Sequence, residues 1–193
     1  MTVRPILVLC SVLLVLTGCM GDEERGEPAA EALRDYLLAA PAGNKELNER
    51  VPQGVPIPAA DEFLVLREGE WSVAAVELDS PFGAYAAPLR EADEEWEVKL
   101  PTERLRIVEG PPEPGSPVGD DQRVGFAVYS SAPDLESTLW IDGQKETLQG
   151  AGGPRFTRYW AVPEGLGIGS HLAVALARGD GEATAVAWTF AVG

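Results

Sequence analysis

Short apolar runs separated by turn-forming residues fill the chain from Glu62 to Val192. The runs are rich in Val, Ala, Trp, Tyr and Phe, and Gly, Asp or Pro interrupts them at intervals of roughly ten residues. Runs of this length suit single strands and are too short for most helices of a globular domain. The sequence therefore predicts a mainly β protein.

Residues 111–193 show this rhythm most regularly. Asp142-Gly143 and Gly179-Asp180-Gly181 tolerate positive φ angles and predict two tight hairpins. The apolar runs of this segment show no helical pattern, so they predict an antiparallel β-sandwich. Its core is expected to contain Phe126, Val128, Trp140, Val174, Leu176, Trp188 and Phe190.

Residues 28–110 predict a smaller α+β unit. The segment PAAEALRDYLLAA begins with a proline suited to a first helical turn, and its apolar residues recur at spacings of three and four. Four β-like runs then predict an antiparallel meander packed on that helix. Pro88 in the third run indicates an edge strand or a bulge. The helix positions expected to face the sheet are Ala29, Leu33, Tyr36, Leu37 and Ala40.

The boundary between these two domains is predicted at Pro111 to Asp121. This Pro/Gly-rich segment, PPEPGSPVGDD, interrupts patterned sequence on both sides. The run RLRIVEG, which starts at Arg104, falls before the boundary. Whether it is instead the first strand of the sandwich is left open by the sequence.

The N-terminus has the pattern of an export signal. Arg4 is the only charged residue before an apolar run that extends from Pro5 to Thr17, which is too short for a permanent membrane span. The run ends in Leu16-Thr17-Gly18-Cys19, which resembles the bacterial lipobox. The resemblance implies cleavage of a signal peptide, residues 1–18, and attachment of lipid to Cys19.

After Cys19 the chain is polar and acidic as far as Glu27, so residues 19–27 predict a solvated tether that anionic lipid headgroups would repel. Two or more acyl chains on Cys19 would anchor the protein stably. We therefore expect a lipid-anchored protein at the extracytoplasmic face of the cell membrane, with the membrane as one partner through Cys19.

The overall charge of the chain limits which macromolecules it can bind. The chain has 31 Asp and Glu against 15 Lys and Arg, for a formal net charge of −16. This balance disfavours nucleic acid as a partner. The two cysteines, Cys10 and Cys19, both precede residue 20, so the body of the protein can form neither a disulfide framework nor a thiolate metal site.

The final stretch resembles a known family. GSHLAVALARGDGEATAVAWTFAV, Gly169 to Val192, is similar to the last two strands of bacterial immunoglobulin-like domains, and STLWIDGQ resembles an earlier strand of that family. The turn at Gly181-Glu182 departs from the usual pattern. The resemblance implies an immunoglobulin-like sandwich and carries over no catalytic residues, because such domains typically serve as spacers or adhesion modules.

The helix-plus-meander segment has a weaker resemblance to small exported domains of the nuclear-transport-factor or cystatin kind, in which a sheet curls around a helix. This resemblance implies a possible small-ligand pocket between the Pro28 to Ala40 helix and the meander. The proline-rich loop at Val51 to Pro58 would cover that pocket.

Catalytic, cofactor and metal sites are not predicted. His171 is the only histidine, and no nucleophile motif accompanies it. The glycine-rich segments at Gly150 to Pro154 and Gly165 to Gly169 lack the strand-to-helix context and the lysine of a phosphate loop, so both are expected to be loops. A hydrolase would require a cleft of carboxylates with perturbed pKa values.

Two further groups of residues are candidate sites. The acidic runs at Asp93-Glu94-Glu95 and Asp120-Asp121 lack the spacing of a calcium loop and are interpreted as solvated turns. The tryptophans are assigned mainly to packing, with a sugar-stacking platform as the minor alternative. The five tryptophans are Trp71, Trp96, Trp140, Trp160 and Trp188.

These observations favour a non-enzymatic surface lipoprotein that binds another protein or a cell-envelope polymer. The alternative is a small-ligand-binding lipoprotein with the pocket described above. An enclosed cavity would favour the ligand-binding function, whereas an exposed interaction surface would favour the first.

Overall fold

The computed structural model describes residues 27–39, 55–78, 83–93, 95–109, 116–117 and 123–193. The signal segment, Cys19 and most of the predicted tether lie outside these residues. So do Pro41, Val51, Asp120 and Asp121. The described part of the chain is mainly β with one α-helix.

The helix α1 spans Pro28–Ala39, as the apolar spacing predicts. It buries Ala29, Ala30, Leu33 and Leu37, and Leu33 is completely shielded from solvent. These side chains pack against one face of a four-stranded antiparallel sheet, here called the meander sheet, in the order β1-β2-β3-β4. Its strands are β1 (Leu64–Glu68), β2 (Trp71–Glu77), β3 (Ala84–Ala92) and β4 (Glu95–Val98).

Pro88 lies within β3, which is an interior strand and not an edge. The ladder between β3 and β4 begins at Leu89, so Pro88 lies one residue beyond the paired segment. Its missing N–H is therefore not needed there, and its carbonyl accepts a hydrogen bond from the Lys99 N–H at 2.9 Å.

Two further sheets form the rest of the fold. The central sheet has the order β6-β13-β12-β8-β9, and the outer sheet has the order β10-β11-β7-β5. The central strands are β6 (Ser116–Pro117), β8 (Glu136–Ile141), β9 (Gln144–Lys145), β12 (Gly169–Gly179) and β13 (Glu182–Val192). The outer strands are β5 (Leu105–Glu109), β7 (Val124–Ser130), β10 (Gln149–Gly153) and β11 (Phe156–Ala161).

Both predicted hairpins are confirmed. Asp142 and Gly143 join β8 to β9 with φ angles of 49° and 80°, and Asp180 and Gly181 join β12 to β13 with φ angles of 53° and 74°. Positive φ at both central residues gives the turn a twist that matches the flanking strands.

The layers stack in the order helix, meander sheet, central sheet, outer sheet. One face of the central sheet packs against the outer sheet, and the opposite face packs against the meander sheet. The two long strands β12 and β13 are therefore covered on both sides. This explains why their sequences are almost continuously apolar, since each face needs its own buried side chains.

The predicted sandwich core is divided between these two faces. Phe126, Val128, Trp188 and Phe190 lie between the central and outer sheets, as expected. Trp140, Val174 and Leu176 instead face the meander sheet, so their assignment to the sandwich core is wrong. Successive side chains of a strand point to opposite faces, and a strand that is apolar throughout does not reveal which face meets which neighbour.

Strand β5 pairs with β7 in the outer sheet, so its hydrogen bonds place it with the residues that follow the predicted boundary. The short strand β6 lies inside the Pro/Gly-rich segment and pairs in parallel with β13. Polar contacts also join the two segments: Arg178 donates to the Glu68 carbonyl at 3.1 Å, and Lys145 donates to the Glu68 carboxylate at 2.6 Å.

Because the meander sheet and the central sheet share one apolar layer, we expect the two segments to unfold together. Leu176→Ala removes a completely buried side chain from this layer and should lower the free energy of unfolding by about 3 kcal/mol. Circular dichroism and tryptophan fluorescence in a denaturant titration should report one coincident transition. Leu38→Ala is the matched control, because Leu38 is 56% exposed. Two separate transitions, only one of them shifted by Leu176→Ala, would contradict this expectation.

Candidate functional site

Among the described residues, the outer sheet is the last layer of the stack, and no other described sheet covers its second face. On β7, Val124, Phe126 and Val128 point into the core. Strand alternation therefore turns Gly125, Ala127 and Tyr129 to the outer face. The register of β11 with β7 places Phe156 beside Tyr129, Arg158 beside Ala127 and Trp160 beside Gly125 on this same face.

The outer face thus carries three aromatic side chains from two neighbouring strands. Tyr129 and Trp160 are half-buried, and Phe156 is 39% exposed. Large aromatic side chains usually contribute to a core, so three rings that stay partly accessible on one sheet face make this face a candidate binding surface.

Each of these rings carries an arginine side chain above it. A guanidinium held over an aromatic face is attracted by the ring quadrupole and loses part of its rotamer freedom before any ligand binds. We call the six residues the arginine–aromatic face. Measured from the guanidinium carbon to the ring centroid, the pairs are Arg106 with Tyr129 at 5.3 Å, Arg123 with Trp160 at 5.5 Å and Arg158 with Phe156 at 5.8 Å.

Arginines are frequent in this sheet of an acidic protein, whose net charge is −16. Strands β7, β10 and β11 contain no acidic residue, whereas β5 contains Glu109, which is in register with Ala127. Arg155, in the turn between β10 and β11, adds a further cation and is exposed.

A fourth arginine–aromatic pair lies outside this face, in the meander sheet. Arg90 lies over the Trp71 ring at 5.8 Å. Trp71 is only 3% exposed, and the Arg90 guanidinium forms an ion pair with the Glu70 carboxylate at 2.7 Å. The ring of that pair therefore belongs to the core, whereas Phe156 of the outer sheet is 39% exposed.

Strand β10, which lies beside β11, has few side chains because three of its five residues are glycine. Strand β10 has the sequence QGAGG and is exposed throughout, so the expectation that Gly150 to Pro154 forms a loop is wrong. Pairing with β11 stabilises this strand, which glycine content alone disfavours. A Cβ at Gly152 would lie 2.2 Å from the Phe156 carbonyl oxygen, whereas a Cβ at Gly153 would meet nothing within 4 Å. We call β10 the glycine shelf.

An open cleft of about 790 Å³ adjoins the end of the glycine shelf. It lies between the β10–β11 turn and the segment that follows β7, and among its described lining residues Arg155 alone is charged. The cleft is lined by Ser131, Ala132, Pro133, Gly152, Gly153, Pro154, Arg155 and Phe156.

His171 occupies a different place, at the start of β12. Its Nδ1 lies 2.6 Å from the Asp142 carboxylate, and its Nε2 lies 2.8 Å from the Gly167 carbonyl oxygen. Asp142 also accepts a hydrogen bond from the Leu172 N–H at 2.9 Å. Both ring nitrogens face acceptors, so the imidazolium form satisfies both contacts and joins the β8–β9 turn to the Gly165 to Gly169 loop.

The hydrogen bond to Asp142, followed by that to the Gly167 carbonyl, raises the pKa of His171. A histidine whose pKa is raised by folding stabilises the protein fully below its unfolded pKa of about 6.5, and this contribution is lost as the pH rises through the folded value. We expect the free energy of unfolding to fall by about 1 kcal/mol above that range.

His171→Gln should remove this pH dependence and lower stability modestly at acidic pH. Thermal unfolding of both proteins at several pH values between 5 and 9 checks the prediction. Asp142→Asn, which keeps the turn but removes the carboxylate charge, should also flatten the profile. An unchanged slope in both variants would show that other groups cause it.

The remaining candidates from the sequence fall in several places. Trp71, Trp140 and Trp188 are buried, and Trp96 packs against the helix–sheet core, so only Trp160 belongs to the arginine–aromatic face. Asp93 forms a turn with a φ angle of 50°, whereas Glu94 lies outside the described residues. Sequence reasoning missed Arg106, Arg123 and Arg158. The alternation of Phe156, Arg158 and Trp160 along β11 was the available signal.

Comparison of the sequence with protein-family models and with curated proteins finds no significant match. Among the described residues, no helix is long and apolar enough to cross a membrane. Within the same part of the chain, no group of three or more His, Cys, Asp or Glu side chains is arranged to hold a metal ion.

Proposed function

We propose that this protein is a lipid-anchored, non-enzymatic binding protein of the extracytoplasmic face, with the arginine–aromatic face as its binding surface. The observation that carries the proposal is the set of three guanidinium–ring pairs on the uncovered face of an acidic protein. Ordered cations and exposed rings are typical of recognition surfaces.

The lipid anchor and the sandwich belong to the same proposal. The lipobox-like sequence before Cys19 supports lipidation at that residue. The packing of the central sheet on the outer sheet supports an immunoglobulin-like sandwich, a class used for spacing and adhesion.

The layer order fits an anchored protein. The tether would join the folded part at Glu27, next to the start of α1. The outer sheet is the farthest layer from α1, separated from the meander sheet by two sheet-to-sheet spacings, or about 20 Å. The arginine–aromatic face is therefore available for a partner on the side away from the tethered helix.

The small-ligand alternative receives no comparable support. Leu33, Val76 and Leu89 meet between α1 and the meander sheet, each at most 2% exposed. The loop predicted to cover a pocket there, Val51 to Pro58, is described only from residue 55 onward.

Lipid attachment is tested by replacing the proposed acceptor. We expect wild-type protein to partition into the detergent phase and Cys19→Ala to partition into the aqueous phase or to remain unprocessed. Metabolic labelling with palmitate, with Cys10→Ala as the matched control, should label wild type and Cys10→Ala alone. Label on Cys19→Ala would contradict the assignment of the anchor.

Binding is tested by co-sedimentation of the full-length protein with washed cell-envelope material in nonionic detergent. Arg158→Gln and Arg106→Gln should each reduce the bound fraction at physiological salt, because each removes one ordered cation. Arg90→Gln is the control, since it removes a guanidinium–ring pair that lies in the meander sheet and not on the proposed surface. Equal sedimentation of all variants would contradict the proposed surface.

A further inference from the structure

We propose that two copies of this chain associate through the glycine shelf, so that the free edge of β10 pairs antiparallel with the same edge of the second copy. The two outer sheets then form one continuous sheet across a two-fold axis. The inference concerns assembly and does not depend on what the arginine–aromatic face binds. Only the expected amount of dimer on a membrane rests on the proposed lipid anchor.

The free edge of β10 offers unpaired backbone groups. No described strand pairs with this edge, and all five residues of β10 are exposed. Two residues separate Gly153 from Phe156, so this pair closes the hairpin and exchanges hydrogen bonds. Bonded and non-bonded pairs alternate along an antiparallel ladder. Gly150 and Gly152 therefore direct their N–H and C=O groups away from β11, toward an added strand.

The other sheet edges in the described part of the chain carry features that hinder strand addition. Charged side chains, a bulge, a proline or a very short strand all discourage pairing with another chain. The glycine shelf has five residues and none of the other features, since Pro154 lies in the turn after it. The guarded edges are β1 with Arg67 and Glu68, β4 with Glu95 and Glu97, β5 with Arg106, Glu109 and a bulge, β6 with two residues and Pro117, and β9 with two residues.

A second copy fits the shape of this edge. Pairing centred on Ala151 overlaps the whole strand, and Gly150 of each copy then exchanges hydrogen bonds with Gly152 of the other. The side chains that meet are small, because Ala151 meets its own counterpart and Gln149 meets Gly153. The two backbones therefore reach the ordinary strand spacing of about 4.8 Å without displacing a side chain. A foreign strand would find few side-chain pockets to select it, and such pockets give strand addition its specificity.

The charges near this edge permit two acidic chains to approach. The net charge of −16 makes two copies repel each other at long range, but β10 and β11 contain no acidic residue. In the centred register the two Arg155 residues lie at opposite ends of the ladder, about 20 Å or more apart. The two Arg158 residues are separated by three strand spacings, or about 14 Å. Both separations exceed the Debye length of about 8 Å at physiological salt.

The direction of the two-fold axis suits two copies anchored in one membrane. Antiparallel strands of one sheet are related by an axis perpendicular to that sheet, and the layers of this fold stack along the same direction. Rotation about the axis therefore leaves both α1 helices, and Glu27 next to each, on one side of the assembly. The two arginine–aromatic faces lie side by side on the opposite side, away from the tethers.

The contact is expected to be weak in solution. Five residues from each copy, joined by about four main-chain hydrogen bonds, bury far less than the ~800 Å² per partner of a standard stable interface. Confinement of both copies to one membrane raises their effective concentration. The association is therefore tested on membranes.

The test is disulfide cross-linking in membranes of cells that express the full-length protein. The chain has two cysteines, Cys10 in the predicted signal peptide and Cys19 at the proposed lipid site. Ala151→Cys should give a disulfide-linked dimer under mild oxidation, because a non-hydrogen-bonded pair brings its Cα atoms to about 4.5 Å. Wild type should give none. Ile168→Cys is the matched control, since Ile168 is 89% exposed but lies outside the shelf, and it should give at least about tenfold less dimer.

A second pair of variants tests the direction and register of the strands. Gln149→Cys and Gly153→Cys, expressed together with different tags, should cross-link to each other and not each to itself. A Cβ at Gly153 meets no other atom within 4 Å, so circular dichroism should show a folded protein.

Charge substitution at the axis separates loss of pairing from loss of folding. Ala151→Lys, added to both of these cysteine variants, should lower the cross-linked fraction at least about fivefold, because like charges then lie opposite each other. Ala151→Lys in one copy and Ala151→Glu in the other should restore it, which a folding defect would not allow. Ala151→Ser in both copies is the matched control and should leave the fraction unchanged.

An absence of dimer from Ala151→Cys, or an equal amount from Ile168→Cys, would overturn the inference. Cross-linking of Gln149→Cys to itself would do the same, as would an adduct of Ala151→Cys with a different protein in place of the dimer. Envelope binding that depends on Arg106, together with no dimer, would overturn the pairing but leave the proposed function intact. A dimer with envelope binding independent of Arg106 would support the pairing and contradict the proposed binding surface.

Discussion

The burial of β12 and β13 on both faces is the constraint on which the other layers depend. Every residue from Leu172 to Ala177, and from Ala183 to Phe190, is buried. Two covered faces require two separate sheets as neighbours, because one sheet can cover only one side. The meander sheet and the outer sheet therefore occupy fixed positions on opposite sides of the central sheet, and the helix closes the far side of the meander sheet.

At both interfaces, one of the two long strands contributes large side chains and the other contributes small ones. Strand β12 turns Ala173, Ala175 and Ala177 toward the outer sheet, whereas β13 turns Val186, Trp188 and Phe190 to the same side. Toward the meander sheet the pattern is reversed, with the larger side chains on β12 and alanines on β13. Trp188, Val186 and Leu176 each lie beside an alanine across the ladder, whereas Phe190 lies beside His171. This alternation lets both interfaces pack densely without overlap.

In the part of the chain that the structure describes, the same layer order leaves one face of the outer sheet without a covering sheet. The outer sheet needs only its inner face for stability, so its outer side chains are released from the requirement to be apolar. Three of those positions carry a ring with a guanidinium above it. The His171 and Asp142 contact lies at a turn of the central sheet and serves the fold, not this surface.

The sequence by itself determined the local elements. The spacing of apolar residues defines α1, Asp-Gly pairs define the hairpins, and the alternating runs define most strands, because each depends on neighbours within a few residues. It did not reveal strand β10, whose glycines form a strand only when β11 supplies hydrogen bonds. It also could not assign Trp140, Val174 and Leu176 to the correct face, since a continuously apolar strand has no polar side to mark its orientation. Only the tertiary structure brought Arg106, Arg123 and Arg158, from three separate segments, onto one sheet face. Pairing between strands that are distant in the sequence determines that arrangement. The residue pattern of one strand does not indicate which residues of another strand it pairs with.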